Sequence, residues 1–280
     1  MSEYLAANKP TPEQLSEWIE FFHANGFLVI PNVLTPQHCQ ELRQDLDVEL
    51  ERIEGSLAQN SQTIATRMFE YSRANLDLFA LEPIVTFAEQ LIGDANGDGY
   101  PIEAGIPNAN VVHVIHNNSF KLPPKTDGLG YNAWHQDDTP HVLSLDGNPL
   151  TNIRLNVLAF TVNYYLTDVL SPDNSPTQVI PGSHLFGKFC EFNIPGYKDR
   201  IHSCLGKMGT AVCFNNQVWH RGSRNSSSVT RYITQVTYAK RLVGHKYEPF
   251  INYQMPRHCY KNADPRLKRL LGFLPSGAYT

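Results

Sequence analysis

The 280-residue sequence has neither a long hydrophobic run nor an excess of basic residues. No segment approaches the roughly 18 continuous apolar residues of a membrane helix, and residues 1–5 lack the basic and apolar regions of a signal peptide. Because 23 Lys and Arg face 27 Asp and Glu, the net charge is −4, and no overall positive field attracts nucleic acid or an anionic membrane. We therefore expect a cytoplasmic protein that binds neither nucleic acid nor membrane.

Cysteine is also scarce. The five cysteines are odd in number and widely separated, and they contain no C-x-x-C pair, so a disulfide framework is not indicated. We expect reduced thiols, most of them buried as small apolar side chains.

Proline and glycine, by contrast, are frequent, with 19 and 18 residues, and aromatic residues make up 11% of the chain. This composition is typical of many short strands and turns rather than of a helical bundle. A chain of this length can bury one large core. We expect a single domain over residues 1–280, with helical support at about 11–95, a β core at about 100–245 and a C-terminal helix at about 264–271.

Helical signals lie near both ends of the chain. Thr11, Pro12 and Gln14 have the pattern of a capped helix start, and Gly26 is placed to end that helix. The predicted helices begin at Pro12 and Pro36 and cover Pro83 to Ile92 and Asp264 to Leu271.

Short runs of Val, Ile, Phe, Tyr and Thr, separated by turn residues, predict strands over most of the remaining chain. The segment from Lys121 to Gly130 is too rich in Pro and Gly for a strand and is interpreted as a mobile loop that could act as a lid. The predicted strands are Phe27 to Ile30, Val111 to Ile115, Tyr131 to Gln136, Leu155 to Leu166, Thr177 to Ile180, Thr210 to Phe214 and Tyr232 to Tyr238.

Two histidines and one aspartate can hold one face of an octahedral ferrous ion, and the chain offers such a set. His135 and Asp137 are two residues apart, and a strand would place both on the same face. His220 opens a polar turn that leads to Arg231, and a hairpin there would direct both side chains into one cavity. Each residue also has a simpler explanation. His135 and Asp137 fit a chance His-x-Asp pair, His220 fits a buried histidine bonded to backbone, and Arg231 fits a surface ion pair.

The order and spacing of several motifs carry more information than any one of them. These motifs are His135-Gln-Asp137, Pro181-Gly-Ser-His184, Trp219-His-Arg-Gly222 and an arginine eleven residues after His220. Together with Asn25-Gly-Phe-Leu-Val-Ile-Pro31 near the N-terminus, the chain resembles the phytanoyl-CoA dioxygenase family of iron(II)/2-oxoglutarate oxygenases from about Glu13 to Phe273. The resemblance implies a mainly β fold with flanking helices, in which N-terminal helices pack on a double-stranded β-helix, a cupin-like jelly roll.

The same resemblance implies roles for individual residues. His135, Asp137 and His220 match the family's iron ligands, and Arg231 matches the arginine that pairs with the distal carboxylate of 2-oxoglutarate. Guanidinium suits this role because its planar fork binds a carboxylate through two hydrogen bonds. Thr177 matches a second co-substrate contact, and Asn132 is given a similar role. The implied cofactors are Fe(II), 2-oxoglutarate as co-substrate and O2, with succinate and CO2 as products.

Two features qualify the match to the family pattern. Asp173-Asn-Ser-Pro176 stands where relatives usually carry Asn-Gly, so the turn before Thr177 has a different geometry. His184 is not a metal ligand in the family, and we interpret it as a structural histidine that fixes a turn. A second metal site at His113, His116 and His141 is disfavoured, because a strand would place His113 and His116 on opposite faces.

The expected reaction is oxidation, in the first instance hydroxylation, of a C–H bond in a small organic molecule such as a specialised metabolite. A complete carboxylate ligand at Asp137 argues against halogenation, because related halogenases carry a small residue there. Candidate substrate contacts are Lys121, Tyr131, Trp134 and Phe192, with further aromatic walls from Phe120 and Tyr197.

Several alternatives stay open. A CoA thioester substrate needs clustered cations, for which the candidates are Lys121 with Lys125, and Arg266, Lys268 and Arg269, so an acyl-CoA hydroxylase is the less favoured reading. A second alternative is a cupin-like metal-binding module or isomerase, which has no need of Arg231. A third is a family member that binds metal without turnover and serves only as a binding module. Desaturation, rearrangement and peroxide formation are alternatives to hydroxylation, and a homodimer is an alternative to a monomer.

Overall fold

The structure, a computed structural model, describes residues 8–53, 63–93, 112–127, 133–191, 194, 196–245 and 253–273. The helices are α1 Pro12–Asn25, α2 Pro36–Ile53, α3 Arg73–Asp77, α4 Ile84–Ala88, α5 Arg257–Tyr260 and α6 Pro265–Leu270. The strands are β1 Phe27–Ile30, β2 Thr63–Thr66, β3 Val112–Leu122, β4 Ala159–Tyr165, β5 Thr177–Val179, β6 His202–Cys204, β7 Ala211–Asn215, β8 His220–Gly222 and β9 Arg231–Lys240.

Two antiparallel sheets build the core. The large sheet has six strands in the order β1-β7-β4-β9-β3-β2, and the small sheet has three in the order β6-β5-β8. An apolar cluster joins the sheets, with Val179 and Cys204 of the small sheet packed against Tyr165 and Phe214 of the large one. This mainly β architecture with flanking helices confirms the expected fold class.

The outer face of the large sheet is covered by helices. Phe22 of α1 and Phe87 of α4 pack edge-on against Phe160 of β4, with ring centres 5.8 and 5.5 Å apart. Leu42 of α2 belongs to the same buried cluster. Because alternate residues of a strand point to opposite faces, the helices take up one face and leave the other for a cavity. None of the described helices is long and apolar enough to cross a membrane.

Two of the motifs found in the sequence meet at the end of α1. The helix begins at a capping box between Thr11 and Gln14 and ends at Gly26, whose φ is +79°. His184 lies against this turn, with Nε2 3.0 Å from the carbonyl oxygen of His23. A Cβ at Gly26 would lie 2.7 Å from Nδ1 of His184, so the position requires glycine for both its backbone angle and its space. His184 thus contacts the turn that ends α1, and no metal-ligating role is needed to explain its position.

This close packing gives a stability prediction. We expect Gly26→Ala to lower the free energy of unfolding by at least about 2 kcal/mol, because it combines a left-handed backbone with a steric clash. Gly147→Ala is the matched control: its φ is +77° and no atom lies within 4 Å of the added Cβ, so only the backbone cost of about 1–2 kcal/mol applies. Equal losses in urea unfolding would show that His184 does not restrict the turn.

A β-bulge in β3 decides which side chains reach the inner face. Val114 pairs with Tyr238, but His116 pairs with Thr237, so Ile115 is an extra residue. Bulges of this kind re-aim the side chains that follow them. His113 pairs with Ala239, and since Thr237 and Ala239 share a face of β9, His113 and His116 also share one. The expectation that these histidines point to opposite faces was therefore wrong.

Most predicted elements are confirmed, with shifted ends. Helices at Pro12, Pro36, Pro83 to Ile92 and Asp264 to Leu271 are present, the third as α4 followed by a π-helical turn at Glu89–Gly93. The strands at residues 27, 112, 159, 177, 211 and 231 are also present. Elements not predicted are β2, β6, β8, α3 and α5, all of them three to five residues long.

Three local predictions were wrong. Residues 133–136 form no strand, and His135 makes only an isolated bridge to His220. Strands β8 and β9 do not form a hairpin, because β8 pairs with β5 and β9 pairs with β3 and β4. Lys121 and Leu122 end strand β3 rather than begin a loop; residues 128–130 lie outside the described part of the chain.

Candidate active site

His135 and His220 are brought together by backbone hydrogen bonds. Each backbone N–H donates to the carbonyl oxygen of the other residue over 3.0 Å. The two imidazole ring centres lie 4.3 Å apart. The segment before Asp137 is thereby attached directly to β8, and two residues that are distant in sequence become neighbours.

Hydrogen bonds also fix which imidazole nitrogen is available to a ligand. Nδ1 of His135 lies 2.9 Å from the carbonyl oxygen of Ala133, and Nδ1 of His220 lies 2.8 Å from that of Val218. A carbonyl oxygen can only accept, so each Nδ1 carries the proton and each Nε2 presents a lone pair. This is the arrangement that orients a metal-binding histidine.

Asp137 completes a set of three possible ligand atoms. Its backbone N–H donates to the carbonyl oxygen of Asn216 over 3.0 Å. Oδ1 lies 3.9 Å from Nε2 of His135 and 3.4 Å from Nε2 of His220, and the candidate ligand atoms all lie within 4.8 Å of one another. Atoms bonded to one ion at about 2.0–2.2 Å and at right angles lie about 3 Å apart. The two imidazoles and the carboxylate therefore fit one octahedral face after small side-chain movements.

The turn between β7 and β8 holds this segment in place. Gln136 donates from Nε2 to the carbonyl oxygen of Gln217 over 3.1 Å. Oε1 of Gln217 accepts from the backbone N–H of His141 over 2.9 Å. The backbone N–H of Trp219 donates to Oγ of Ser183 over 2.7 Å, which links the Pro-Gly-Ser-His turn to the same structure.

Arg231 is a buried cation at the start of β9. The guanidinium carbon of Arg231 lies 5.7 Å from the ring centre of Tyr165. Its Nε is buried with no hydrogen-bond partner, and burial lowers the pKa of the guanidinium. Among the described residues no carboxylate pairs with it. A buried unpaired charge is costly, so this position calls for an anionic ligand.

A chain of side-chain hydrogen bonds leads to Thr177. Nε2 of Gln235 donates to Oδ1 of Asn163 over 3.0 Å, and Nδ2 of Asn163 donates to Oγ1 of Thr177 over 3.0 Å. Because Thr177 Oγ1 accepts this bond, its own proton points to an acceptor, and the hydroxyl of Tyr165 is one within hydrogen-bonding reach. The backbone N–H of Thr177 donates to the hydroxyl of Tyr165 over 3.1 Å. This bond holds Thr177 next to Tyr165, whose ring contacts the guanidinium of Arg231.

One cavity of about 210 Å³ joins all of these groups. His135, Asp137, His220, Thr177 and Arg231 line it, and so do polar residues of the large sheet. These polar residues are His116, Asn118, Thr161, Asn163, Gln235 and Thr237.

Comparison with a model of the phytanoyl-CoA dioxygenase family gives a match over residues 22–233, which is most of the chain and includes His135, Asp137, Thr177, His220 and Arg231. The chain belongs to the phytanoyl-CoA dioxygenase family. Membership confirms the predicted family and, with it, the predicted enzyme class, a dioxygenase. The matched region runs from Phe22 of α1 to Ile233 of β9.

Individual relatives are more distant. Ectoine dioxygenase from Nocardia farcinica is 24% identical over 249 residues, which cover 77% of this chain and 74% of the relative. HygX from Streptomyces hygroscopicus, with nickel and 2-oxoglutarate bound, has a TM-score of 0.62 at 13% identity, over 82% of this chain and 88% of HygX. The carbocyclase SnoK from nogalamycin biosynthesis has a TM-score of 0.59 at 19% identity, over 84% and 87% of the two chains. HygX and SnoK therefore share their fold with this chain.

The predicted substrate contacts are only partly described. Nζ of Lys121 pairs with Asp47 of α2 at 2.7 Å, and Lys121 does not line the cavity. Trp134 is buried in a separate apolar cluster with Trp219 and stacks under the guanidinium of Arg221 at 4.9 Å. Phe120 does line the cavity. Tyr131, Asn132 and Phe192 lie outside the described residues.

Sequence reasoning missed the polar inner face of the large sheet. Arg231, Ile233, Gln235 and Thr237 alternate along β9 and all line the cavity, so their period of two was the available signal. His116 carried no such signal, because the bulge at Ile115 determines its direction. Among the described residues, the one group of three metal-ligating side chains is His135, Asp137 and His220, and no second site forms around His113.

Proposed function

We propose that this protein is an iron(II)- and 2-oxoglutarate-dependent dioxygenase that hydroxylates a C–H bond of a compact small molecule. The observation that carries the proposal is the joining, in one cavity, of a two-histidine, one-carboxylate set and a buried arginine without an acidic partner among the described residues. The metal set alone would also suit a cupin-like binding module. Such a module gives no reason for the buried cation.

In the proposed site His135, Asp137 and His220 hold Fe(II), which supplies the oxidising chemistry with O2 when it is bound. The chain contributes orientation: Ala133 and Val218 keep both Nε2 atoms directed at the metal position. Phe214 packs against the His220 ring, with ring centres 4.5 Å apart, and limits water on that side.

Arg231 and Thr177 are proposed to bind the distal carboxylate of 2-oxoglutarate. The guanidinium lacks an acidic partner among the described residues, and the hydroxyl of Thr177, which is hydrogen-bonded to Tyr165, can turn its proton to a bound carboxylate. A carboxylate that accepts from both is held by charge-assisted hydrogen bonds. Oxidation of one C–H bond is then coupled to conversion of 2-oxoglutarate and O2 to succinate and CO2.

Ion pairs within the protein argue against an acyl-CoA substrate. Arg266 pairs with Glu82 at 2.8 Å and with Glu89 at 2.6 Å, and Arg269 also pairs with Glu89. Lys121 pairs with Asp47. These cations are already neutralised and do not form a phosphate-binding cluster. A small molecule without a CoA group is favoured instead. Of the similar structures, HygX has been solved with hygromycin B bound and SnoK comes from nogalamycin biosynthesis.

We also propose that one domain spanning residues 1–280 carries the activity and that the protein works in the cytoplasm. A homodimer is the alternative to a monomer, and sedimentation equilibrium distinguishes the two masses.

The proposal is tested by incubating purified protein with Fe(II), ascorbate, O2 and 2-oxoglutarate and measuring succinate. Uncoupled turnover without substrate is expected to give succinate above a control in which Zn(II) replaces Fe(II). Equal succinate with either metal would overturn the proposal.

A variant of Thr177 tests the co-substrate contact. We expect Thr177→Val to raise the KM for 2-oxoglutarate at least about 10-fold, because one hydrogen bond to a charged group, worth about 1.5–3 kcal/mol, is lost. Thr177→Ser keeps the hydroxyl and should leave KM within about twofold of the unchanged protein. If valine and serine gave the same KM, Thr177 would not contact the co-substrate.

A further inference from the structure

The inner face of the large sheet has an ordered pattern beyond the metal set. Gln235 pairs in register with Asn118 of β3 and Asn163 of β4, and the next inward position, Thr237, pairs with His116 and Thr161. The pattern forms two polar rungs across three strands. Arg231 lies at the other end of β9, six residues before Thr237, which corresponds to about 20 Å along a strand. The Thr237 rung therefore lies away from Arg231, whereas the Gln235 rung is connected through Asn163 to Thr177.

Hydrogen-bond directions show what these rungs offer to a ligand. Oγ1 of Thr161 donates to Oδ1 of Asn216 over 3.1 Å, and Thr161 and Thr237 share a bond of 2.9 Å. Since Thr161 has a single proton, Thr237 must donate to it, which leaves the lone pairs of Thr237 Oγ1 as acceptors. Gln235 uses Nε2 to donate to Asn163, so Oε1 remains an acceptor.

Asn118 supplies an independent observation. The residue is 7% exposed and lines the cavity, and its Oδ1 is buried with no hydrogen-bond partner. An unsatisfied buried acceptor is costly and uncommon in a folded protein. A ligand that donates a hydrogen bond to Oδ1 would remove that cost.

We propose that Asn118, Gln235 and Thr237 form a substrate subsite that accepts hydrogen bonds from hydroxyl or amide N–H groups of a neutral polar molecule. The inference rests on the proposed function for the position of the substrate relative to the metal. Among the described residues that line the cavity, the only carboxylate is Asp137, which the metal uses. The subsite therefore has acceptors without a counter-ion for a cationic group, which favours an uncharged donor.

A stability comparison tests the subsite without any ligand. Asn118→Leu removes an unsatisfied acceptor, so we expect the thermal unfolding midpoint to stay unchanged or to rise. Asn117 is the matched control on the same strand, because its Oδ1 accepts from the backbone N–H of Phe69 over 2.8 Å and its Nδ2 donates to the carbonyl oxygen of Gln235 over 3.0 Å. Asn117→Leu should lower the midpoint. Equal losses would identify Asn118 as a structural residue and overturn the proposal.

Binding of a probe tests the ligand class. The probe is trans-cyclohexane-1,2-diol, and its dimethyl ether is the matched compound that keeps both acceptors and lacks both donors. Saturation-transfer NMR on protein loaded with Zn(II) and 2-oxoglutarate should detect the diol but not the ether. In Asn118→Leu or Thr237→Val the diol should bind about fivefold more weakly, as expected for one neutral hydrogen bond.

Equal binding of diol and ether, binding of neither, or unchanged diol binding in both variants would overturn the proposal. The same samples separate it from the proposed function. If 2-oxoglutarate fails to bind the Zn(II) protein, the co-substrate assignment is wrong, and the comparison of diol with ether is still made on metal-free protein.

Discussion

Replacing Asp137 with alanine is expected to lower the iron-dependent conversion of 2-oxoglutarate to succinate by more than about 100-fold. Loss of a residue that only hydrogen-bonds to a metal ligand costs about 10- to 100-fold, and loss of a ligand itself should cost more. The reason is geometric. Oδ1 of Asp137 is the oxygen that faces Nε2 of His135 and Nε2 of His220, and two imidazoles alone do not define one face of an octahedral ion. Succinate formation at saturating Fe(II) and 2-oxoglutarate measures the effect.

Asp138→Ala is the matched control for Asp137→Ala. The adjacent carboxylate is exposed and bonds to the backbone N–H of Thr139 over 2.7 Å. We expect its turnover to stay within about twofold of the unchanged protein, as for surface substitutions in general. If Asp137→Ala retained the turnover of Asp138→Ala, the metal set would be wrong.

The second large effect is expected at Arg231. Truncation to alanine should raise the KM for 2-oxoglutarate at least about 30-fold, because removing one partner of a buried charge pair costs about 2–5 kcal/mol. Arg231→Lys should recover part of the loss, since an ammonium keeps the charge without the planar fork. Initial rates at varied 2-oxoglutarate provide the measurement.

Two controls separate a loss of co-substrate binding from a loss of folding: the thermal stability of an Arg231 variant and the KM of a variant at a neighbouring arginine. Arg231→Met removes a buried unpaired charge, so the ligand-free protein should unfold at the same or a higher temperature. Arg224 lies in the same connection between β8 and β9, but it is exposed and pairs with Asp127 at 3.4 Å. Arg224→Ala should leave KM unchanged. A similar rise of KM in both variants would contradict a specific role for Arg231.

The sequence predicted which residues lie close together better than it predicted the path of the chain between them. His220 and Arg231 were expected in one cavity, and both line it, but the expected hairpin was wrong. Strand β8 has three residues and pairs with β5 in the small sheet, and partners 41 to 45 positions earlier leave no local signal. The family motifs identify residues that line one cavity, because spacing within a family preserves the fold even where local patterns do not reveal it.

The polar inner face could be predicted only in part. Alternation along β9 identifies Gln235 and Thr237 as sharing a face with Arg231. It does not reveal whether that face meets water or a cavity, because two of the three strands of the second sheet, β6 and β8, are too short to predict. The bulge at Ile115 reverses the alternation before His116, and bulges depend on pairing with another strand rather than on local sequence.

The central claim is that one cavity binds Fe(II) and 2-oxoglutarate together. Anaerobic addition of Fe(II) to metal-free protein, followed by 2-oxoglutarate, tests it most directly through the weak visible charge-transfer band of the chelated complex. We expect the band only when both are present, and we expect Asp137→Ala to abolish it and Arg231→Ala to require much higher 2-oxoglutarate. Absence of the band in folded, unchanged protein at saturating Fe(II) and 2-oxoglutarate would contradict the claim.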